Sequence, residues 1–170
     1  HGGIDLAPDA KALLMIEIDG QEEAMATAIT ALTTAAKNSG LLAVNASQSA
    51  AQRQQLWQAR KALSPCLRSI APKKINEDIV VPVNHLPEYI RFCHRLSQEY
   101  QIHIVNFGHA GNGNLHTNLL IDPNDQKQVE HAEICLSKIF ATVLKLGGTL
   151  SGEHGIGLDK QAYIDQEIDP

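Results

Sequence analysis

Several features that would place a protein in a special class are missing from this sequence. Its 170 residues contain no apolar run approaching the roughly 20 residues of a membrane-spanning helix, which excludes a transmembrane segment. Lysine and arginine total 14 against 19 acidic residues and form no cluster, so we expect no nucleic-acid partner. Repeats, heptads and low-complexity stretches are also absent. The composition, 44% hydrophobic and 19% charged, is that of a globular domain.

Cysteine is scarce as well. Cys66, Cys93 and Cys135 are odd in number, far apart and set among apolar neighbours, which predicts reduced core thiols rather than a disulfide framework. Reduced thiols indicate a reducing compartment, and we expect a cytoplasmic protein. The chain begins at His1 with neither a methionine nor a signal peptide and stops at Pro170, so we expect part of a longer protein.

Hydrophobic spacing predicts strands that alternate with helices and then two strands in succession. The predicted strands cover 13–18, 41–44, 75–81, 102–107 and 114–121, and the predicted helices cover 21–37, 47–63, 85–100 and 123–146. The last two strands flank the glycine-rich loop 108–113, which is typical of a hairpin. This order favours an α+β fold with a mainly antiparallel sheet and helices on one face. A ferredoxin-like sandwich formed by residues 1–170 as one domain is the first choice.

The strand at 114–121 carries a polar row that suggests a lined pocket. Alternate side chains share a face, so Asn114, His116 and Asn118 point one way and the apolar residues between them point the other. Asparagine is depleted in strands, so two of them flanking a histidine are not explained by solvation alone. The loop before the strand can fold His109 back toward His116, at the separation of two metal ligands.

A second glycine-rich loop, 151–157, presents Glu153 beside His154. His109, His116 and Glu153 make a set of two imidazoles and one carboxylate, which leaves coordination positions open for a substrate. Adjacent side chains do not easily face one metal, so His154 is left as an acid or base. The alternative is that the histidines are structural and the glycine loops are ordinary turns. Neither loop has the G-x-G-x-x-G spacing, so a dinucleotide-binding fold is excluded.

Arg60 lies beside the apolar stripe of the predicted helix 47–63. Its guanidinium either is a solvated helix charge or binds the carboxylate of a substrate in a bidentate manner.

Two segments carry a resemblance to a known family. Residues 106–118 are NFGHAGNGNLHTN and residues 147–157 are GGTLSGEHGIG, and residues 56–61 (LWQARK) and 77–82 (EDIVVP) add to the match. Together they resemble the C-terminal cap domain of FAD-linked oxidases, the group that contains the glycolate oxidase FAD subunit, D-lactate dehydrogenase and D-2-hydroxyglutarate dehydrogenase. The resemblance implies a vanillyl-alcohol-oxidase type of flavoenzyme. In such an enzyme another domain, expected before His1, binds FAD and this chain covers the substrate side of the flavin, with part of the cap continuing beyond Pro170.

Carried over to this sequence, the resemblance implies that His109, His116 and Glu153 bind a divalent metal, Zn or Mn, and that His154 is the catalytic base. Where the family usually has an aspartate in the first loop, this chain has Asn112. If that position orients a ligand histidine, an amide adds no negative charge and the affinity for the metal is lower.

The resemblance also implies four substrate-binding residues. Asn118 and Arg60 are similar to the positions that hold the hydroxyl and the carboxylate of the substrate. Ser64 lies where some members have a threonine, and Lys74 lies near a substrate-binding lysine. The substrate would be a small D-2-hydroxy acid, oxidised to the 2-oxo acid by hydride transfer to the flavin.

The implied partners are the protein's own FAD-binding domain, the 2-hydroxy acid and an iron–sulfur or other electron-accepting subunit, with a peripheral position at the inner membrane. Two alternatives remain open at this point: a metal-assisted hydrolase built from the same residues, and a non-catalytic cap or interaction module. The oxidoreductase hypothesis predicts that this chain alone is inactive because it lacks FAD, whereas a hydrolase would act alone once metal is supplied.

Overall fold

The computed structural model describes residues 7–168, and the chain divides into two compact units, His1–Pro65 and Cys66–Pro170. The first unit contains α1 (Glu22–Ala36) and nearly all of α2 (Ala50–Cys66). The second unit contains the sheet and two further helices: β1 (Lys73–Val80), α3 (Leu86–Tyr100), β2 (His103–His109), β3 (Asn114–Ile121) and α4 (Gln126–Lys145).

Both predicted helices of the first unit are confirmed. Ser49 caps α2, because its hydroxyl accepts a hydrogen bond from the Gln52 N–H at 3.2 Å. Pro65 was expected to end this helix but lies inside its last turn, and the helix continues to Cys66.

The two strands predicted in the first unit are wrong. Residues 13–18 and 41–44 form no strand, and Leu14, Ile16 and Leu42 are exposed. Their apolar sequence suits a strand, but a strand also needs a neighbour for its backbone groups. Within the described residues, neither segment takes part in a strand pairing.

The second unit is an antiparallel sheet in the order β1-β3-β2. The chain order β1, α3, β2, β3, α4 is that of a split β-α-β arrangement. On the free edge of β1, Val80 exchanges two backbone hydrogen bonds of 3.0 Å with Thr149, where a fourth strand of a ferredoxin-like sheet would pair. The predicted α+β class with an antiparallel sheet is confirmed.

One face of the sheet forms the core with α3 and α4. Leu115, Leu119 and Ile121 of β3 belong to one apolar cluster with residues of both helices, which therefore pack on the same face. The fully buried residues of the helices include Tyr89, Cys93, Leu96, Ala132, Cys135, Ile139, Phe140 and Val143. Ile90, expected to point inward, is 40% exposed, and the preceding Tyr89 is buried instead.

A chain of hydrogen bonds crosses this core. The Tyr89 hydroxyl lies 2.7 Å from the Thr117 hydroxyl, which in turn donates to the Asn106 side-chain oxygen at 2.7 Å. The bonds join α3, β3 and β2 and give the buried hydroxyl of Tyr89 a partner.

Helix α4 begins later than predicted. Asp122 and Pro123 were expected to be its cap and first residue, but the helix starts at Gln126 with Asp125 as the N-cap. The Asp125 carboxylate accepts hydrogen bonds from the N–H groups of Lys127 and Gln128, and those of Gln128 and Lys127 lower its pKa. Asp122 instead closes the preceding turn by accepting from the Asn124 N–H.

The cysteine prediction is correct for two of three residues. Cys93 and Cys135 are buried free thiols, and burial raises the pKa of each to about 11, which keeps them protonated. Cys66 is exposed at the end of α2 and is not a core residue. No helix in residues 7–168 combines the length and apolar character needed to cross a bilayer.

Candidate active site

The face of the sheet opposite the helices carries a polar row. Asn114, His116 and Asn118 lie along β3 on this face, as predicted. The register places Asp78 of β1 directly opposite His116 on one side and Phe107 of β2 on the other. His116 is only 9% exposed, so its ring is enclosed by these neighbours.

A tight hairpin brings His109 to His116. Gly113 has a φ of +80°, and a Cβ at this position would overlap the carbonyl oxygen of Val81, so only glycine fits the turn. The ring centroids of His109 and His116 lie 5.9 Å apart. Asn112 closes the turn, because its side-chain oxygen accepts from the Asn114 N–H at 3.1 Å. Among the described residues, the Asn112 side chain thus bonds the backbone of its own turn, where the sequence suggested a bond to a ligand histidine.

The loop after Leu150 completes the cluster. Glu153 Oε1 lies 3.3 Å from His109 Nε2, and the ring of His154 stacks on that of His116 with centroids 5.4 Å apart and planes at 16°. The β2–β3 hairpin and a loop far from it in sequence therefore meet here.

Ligand atoms of His109, His116 and Glu153 all lie within 4.8 Å of one another, a separation that suits one metal ion. A second group, Asp78, His116 and His154, meets the same limit and shares His116. Two imidazoles and a carboxylate are donors that Zn²⁺ or Mn²⁺ accepts, so the residues fit the metal that the sequence implied.

Burial and hydrogen bonding separate the charges of this site. Burial lowers the pKa of His116, although the nearby carboxylates of Asp78 and Glu153 oppose the shift. Burial alone would raise the pKa of Asp78, but hydrogen bonds from the His154 N–H and the Asn114 amide, among others, hold it well below the ordinary value. At neutral pH the site therefore contains a neutral imidazole, which can bind a metal, beside a permanently ionised carboxylate.

The predicted substrate residues Asn118 and Lys74 belong to the same face as His116. Asn118 is 0% exposed, and its amide nitrogen donates to the carbonyls of Val105 at 3.1 Å and His116 at 2.8 Å. Its side-chain oxygen is buried without a hydrogen-bond partner among the described residues. Lys74 pairs with Leu120 of β3, two residues beyond Asn118 along the same face.

Arg60 and Ser64 lie on α2 in the first unit. They are four residues apart and share one face of the helix, and both are partly buried.

The sequence analysis assigned no role to two residues that organise the site. Asp78 is 1% exposed, and its carboxylate accepts hydrogen bonds from the loop that carries Glu153 and His154. Lys160 is 4% exposed, and its ammonium donates to the carbonyls of Asp78 and Leu150 at 2.6 Å each. Adjacent carboxylates at 77 and 78 within a predicted strand were the available signal, because acidic residues are depleted in strands.

Comparison with known proteins places the chain in a family. It is 32% identical over 168 residues to "Glycolate oxidase subunit GlcD" of Bacillus subtilis (strain 168), which covers 99% of this chain and 36% of the relative. It is 29% identical to "D-lactate dehydrogenase" of Anaerostipes hadrus, over 94% of the chain and 34% of the relative. It is 35% identical to "D-2-hydroxyglutarate dehydrogenase" of Stutzerimonas stutzeri (strain A1501), over 73% of the chain and 27% of the relative.

The chain thus spans about a third of the length of these relatives. The family model for the C-terminal domain of FAD linked oxidases matches residues 1–170. The protein therefore belongs to the FAD-linked oxidase family, of which it carries the C-terminal domain.

Proposed function

We propose that this chain forms the substrate side of an FAD-dependent oxidoreductase that oxidises a small D-2-hydroxy acid to the 2-oxo acid. In this proposal His109, His116 and Glu153 hold a divalent metal, Zn²⁺ or Mn²⁺, and His154 is the base. The relatives are named for glycolate, D-lactate and D-2-hydroxyglutarate. These acids share a hydroxyl next to a carboxylate, and this shared group is what the site would bind.

The observation that carries the proposal is the meeting of four side chains from three segments. The ligand atoms of His109, His116 and Glu153 lie within 4.8 Å of one another, and the ring of His154 stacks on His116. A structural role would explain a single buried histidine. The proposal also accounts for the approach of the exposed side chains of Glu153 and His109 to 3.3 Å beside two further imidazoles.

His109, His116 and Glu153 would hold the metal, which would supply a Lewis acid that lowers the pKa of the substrate hydroxyl, and FAD on another domain would supply the acceptor for the hydride. The residues of this chain bind and orient the substrate and remove its proton. His154 takes the hydroxyl proton on a ring nitrogen, which suits imidazole near neutral pH. Asn118 is assigned to the orientation of the substrate on this face, where its buried side-chain oxygen has no partner among the described residues, while the single hydroxyl hydrogen points to His154.

The carboxylate of the substrate needs a cation. The resemblance assigns this role to Arg60, whose guanidinium would offer two parallel N–H donors, and a hydroxyl donor to Ser64 on the same face of α2. For the second unit it assigns a substrate-binding lysine to Lys74. The proposal requires an FAD-binding domain and an electron acceptor, which would be an iron–sulfur or other subunit. It assigns the enzyme to the cytoplasm, with a peripheral position at the inner membrane as the alternative.

The test of the base is His154→Ala in the intact protein, assayed with glycolate, D-lactate and D-2-hydroxyglutarate. Bleaching of the flavin absorbance in single turnover reports hydride transfer, and we expect this step to slow by about two to four orders of magnitude. His94→Ala is the matched control, because His94 is an exposed histidine of α3 outside the site. Flavin reduction by His154→Ala at the wild-type rate would remove His154 from the role of base.

The metal requires a separate test. After chelation, turnover should be lost and should return with Zn²⁺ or Mn²⁺ in the wild type, and should not return in His109→Ala. Full turnover without metal would rule out a required metal and leave only the proposal that this chain forms the substrate side of an FAD-dependent oxidoreductase. Hydrolysis of an ester or amide by this chain alone with added metal would instead favour the hydrolase alternative.

A further inference from the structure

Asp78 is a buried carboxylate that the proposed chemistry does not use. It lies near the end of β1, is 1% exposed, and stands opposite His116 in the sheet. Removing a carboxylate from water is costly unless its oxygens are fully hydrogen-bonded, so its partners indicate what it stabilises.

The Asp78 carboxylate binds the loop that carries the proposed ligand and base. Oδ2 accepts from three consecutive backbone N–H groups, those of Gly152 at 2.9 Å, Glu153 at 2.6 Å and His154 at 2.8 Å, and the Ser151 hydroxyl lies at 3.3 Å. Consecutive N–H groups that converge on one oxygen form a nest for an anion. The backbone of the loop is therefore shaped around the charge of Asp78.

The second oxygen of Asp78 faces the other side of the site. Oδ1 accepts from the Asn114 amide at 2.7 Å and lies 3.9 Å from Nδ1 of His116. That nitrogen is buried and has no hydrogen-bond partner among the described residues, and at 3.9 Å the Asp78 carboxylate faces it as a nearby charge rather than as a hydrogen-bond acceptor. With the proton on Nδ1, the lone pair of His116 is on Nε2, which is then available as a ligand.

Gly152 and Asn114 fit this arrangement closely. A Cβ on Gly152 would overlap the amide nitrogen of Asn114, the same nitrogen that donates to Asp78. The loop can therefore approach Asp78 only because residue 152 has no side chain.

We infer that Asp78 is a positioning residue, which fixes the Glu153–His154 loop and the ring of His116 in one geometry for metal binding and proton transfer. The inference rests on the proposed function, in which His116 and Glu153 hold the metal and His154 is the base. Asp78 also belongs to the second group of possible ligands. Four of its five hydrogen-bond donors converge on Oδ2, and we assign Asp78 to the orientation of the loop and of His116 rather than to the metal itself.

The test is Asp78→Asn in the intact protein, because this change keeps the shape and removes the charge. Mn²⁺ affinity is measured by the electron paramagnetic resonance signal of free Mn²⁺, and kcat and KM are measured with the best of the three hydroxy acids. We expect the dissociation constant for Mn²⁺ to rise about ten- to a hundredfold, as for other residues that orient metal ligands. We expect kcat to fall and KM to change less, because Asp78 does not touch the substrate.

Asp125→Ala is the control for a general loss of stability. Asp125 caps α4 through two backbone N–H groups and makes no contact with the site, so this variant should keep the wild-type Mn²⁺ affinity and kcat. If Asp78→Asn does not fold, Asn114→Ala takes its place. It removes one donor to Asp78 and should raise the dissociation constant by a smaller factor.

Wild-type Mn²⁺ affinity and kcat in a folded Asp78→Asn, or in Asn114→Ala where that variant replaces it, would overturn the inference. The failure of the proposed function looks different. If the wild type binds neither Mn²⁺ nor Zn²⁺, the metal hypothesis fails. The kcat of Asp78→Asn relative to the wild type then alone tests whether Asp78 is a positioning residue. If the wild type oxidises none of the three acids, the substrate hypothesis fails and Mn²⁺ affinity decides it.

Discussion

Lys160 is a buried lysine whose removal should destabilise the second unit by several kcal/mol. Val80 uses the free edge of β1 to bond Thr149, and the carbonyl of Asp78, two residues earlier on the same edge, accepts from Lys160 Nζ instead. The ammonium also donates to the Leu150 carbonyl and lies 3.6 Å from the buried carboxylate of Glu77. Lys160 thus binds the edge of β1 next to the point where the backbone pairing with Thr149 ends.

The expected cost of Lys160→Met at pH 7 is about 3–5 kcal/mol, the usual result of leaving one member of a buried ion pair behind. The part of this cost that comes from Glu77 has an upper limit, which is the free energy of protonating its carboxyl. Burial raises its pKa and Lys160 opposes that shift, so without Lys160 the pKa of Glu77 rises further. Protonating a carboxyl of ordinary pKa 4.5 at pH 7 costs about 3.4 kcal/mol, which is the most that Glu77 can contribute, and the two carbonyls that lose a donor contribute about 0.5–1 kcal/mol each.

This reasoning predicts a pH signature. A raised pKa in the folded state gives stability at low pH that is lost as the pH rises from the unfolded value of 4.5. At pH 5 the protonation of Glu77 costs only about 0.7 kcal/mol, so the penalty of Lys160→Met should shrink by about 2–3 kcal/mol between pH 7 and pH 5. Adding Glu77→Gln to the variant should abolish this dependence.

Urea unfolding followed by far-ultraviolet circular dichroism measures these free energies. Lys138→Met is the matched control, because Lys138 is an exposed lysine with a 3.7 Å surface ion pair to Glu99. A penalty below about 1 kcal/mol at pH 7, or one that is the same at pH 5, would refute the role given to Lys160.

Three further predictions concern the core and the site. Gly152→Ala should cost about 1–3 kcal/mol and weaken Mn²⁺ binding, because the new Cβ overlaps a buried amide, whereas Gly111→Ala, with open space around its Cβ, should change neither property in urea unfolding and Mn²⁺ titration. Tyr89→Phe should lower the free energy of unfolding by about 1–2 kcal/mol, since it removes the buried hydrogen bond to Thr117, and no change in urea midpoint would contradict that bond. Burial lowers the pKa of His116 in the folded state, so the contribution of His116 to stability is complete above pH 6.5 and is lost as the pH falls toward the folded-state pKa. His116→Gln should flatten this part of the curve of unfolding free energy against pH, and an unchanged slope would argue against this contribution.

The fold of the second unit was readable from local patterns. Strand β3 was predicted with its observed ends, Asn114–Ile121, because a glycine-rich loop and an aspartate–proline turn bound a run whose side chains alternate over residues 114–119. The strands predicted at 13–18 and 41–44 have similar apolar content and still form none, because a strand exists only where another strand accepts its hydrogen bonds. The pattern of side chains in a segment does not show whether such a neighbouring strand is present.

The same limit applies to the site. His109, His116, Glu153 and His154 could be named because each lies in a short glycine-rich motif with a chemical signature. Asp78 and Lys160 could not, because their functions depend on contacts with residues 74 to 82 positions away along the chain. Asp78 in isolation resembles any acidic residue of an exposed strand, and only the register of β1 with β3 places it opposite His116.

Stability and site geometry are coupled through one residue. The side chain of Asp78 holds the Glu153–His154 loop on one face of the sheet, while its carbonyl accepts from Lys160 at the edge. Lys160 also binds the Leu150 carbonyl, at the residue from which that loop departs, so both ends of the arrangement are fixed to β1. A variant of Lys160 should therefore weaken metal binding even though Lys160 is not among the candidate metal ligands. Asp125→Ala removes the cap of α4 without disturbing either contact of Lys160, so it should lower the free energy of unfolding and leave the metal affinity unchanged. The loss of metal affinity in a Lys160 variant should therefore come from displacement of the loop rather than from lower global stability.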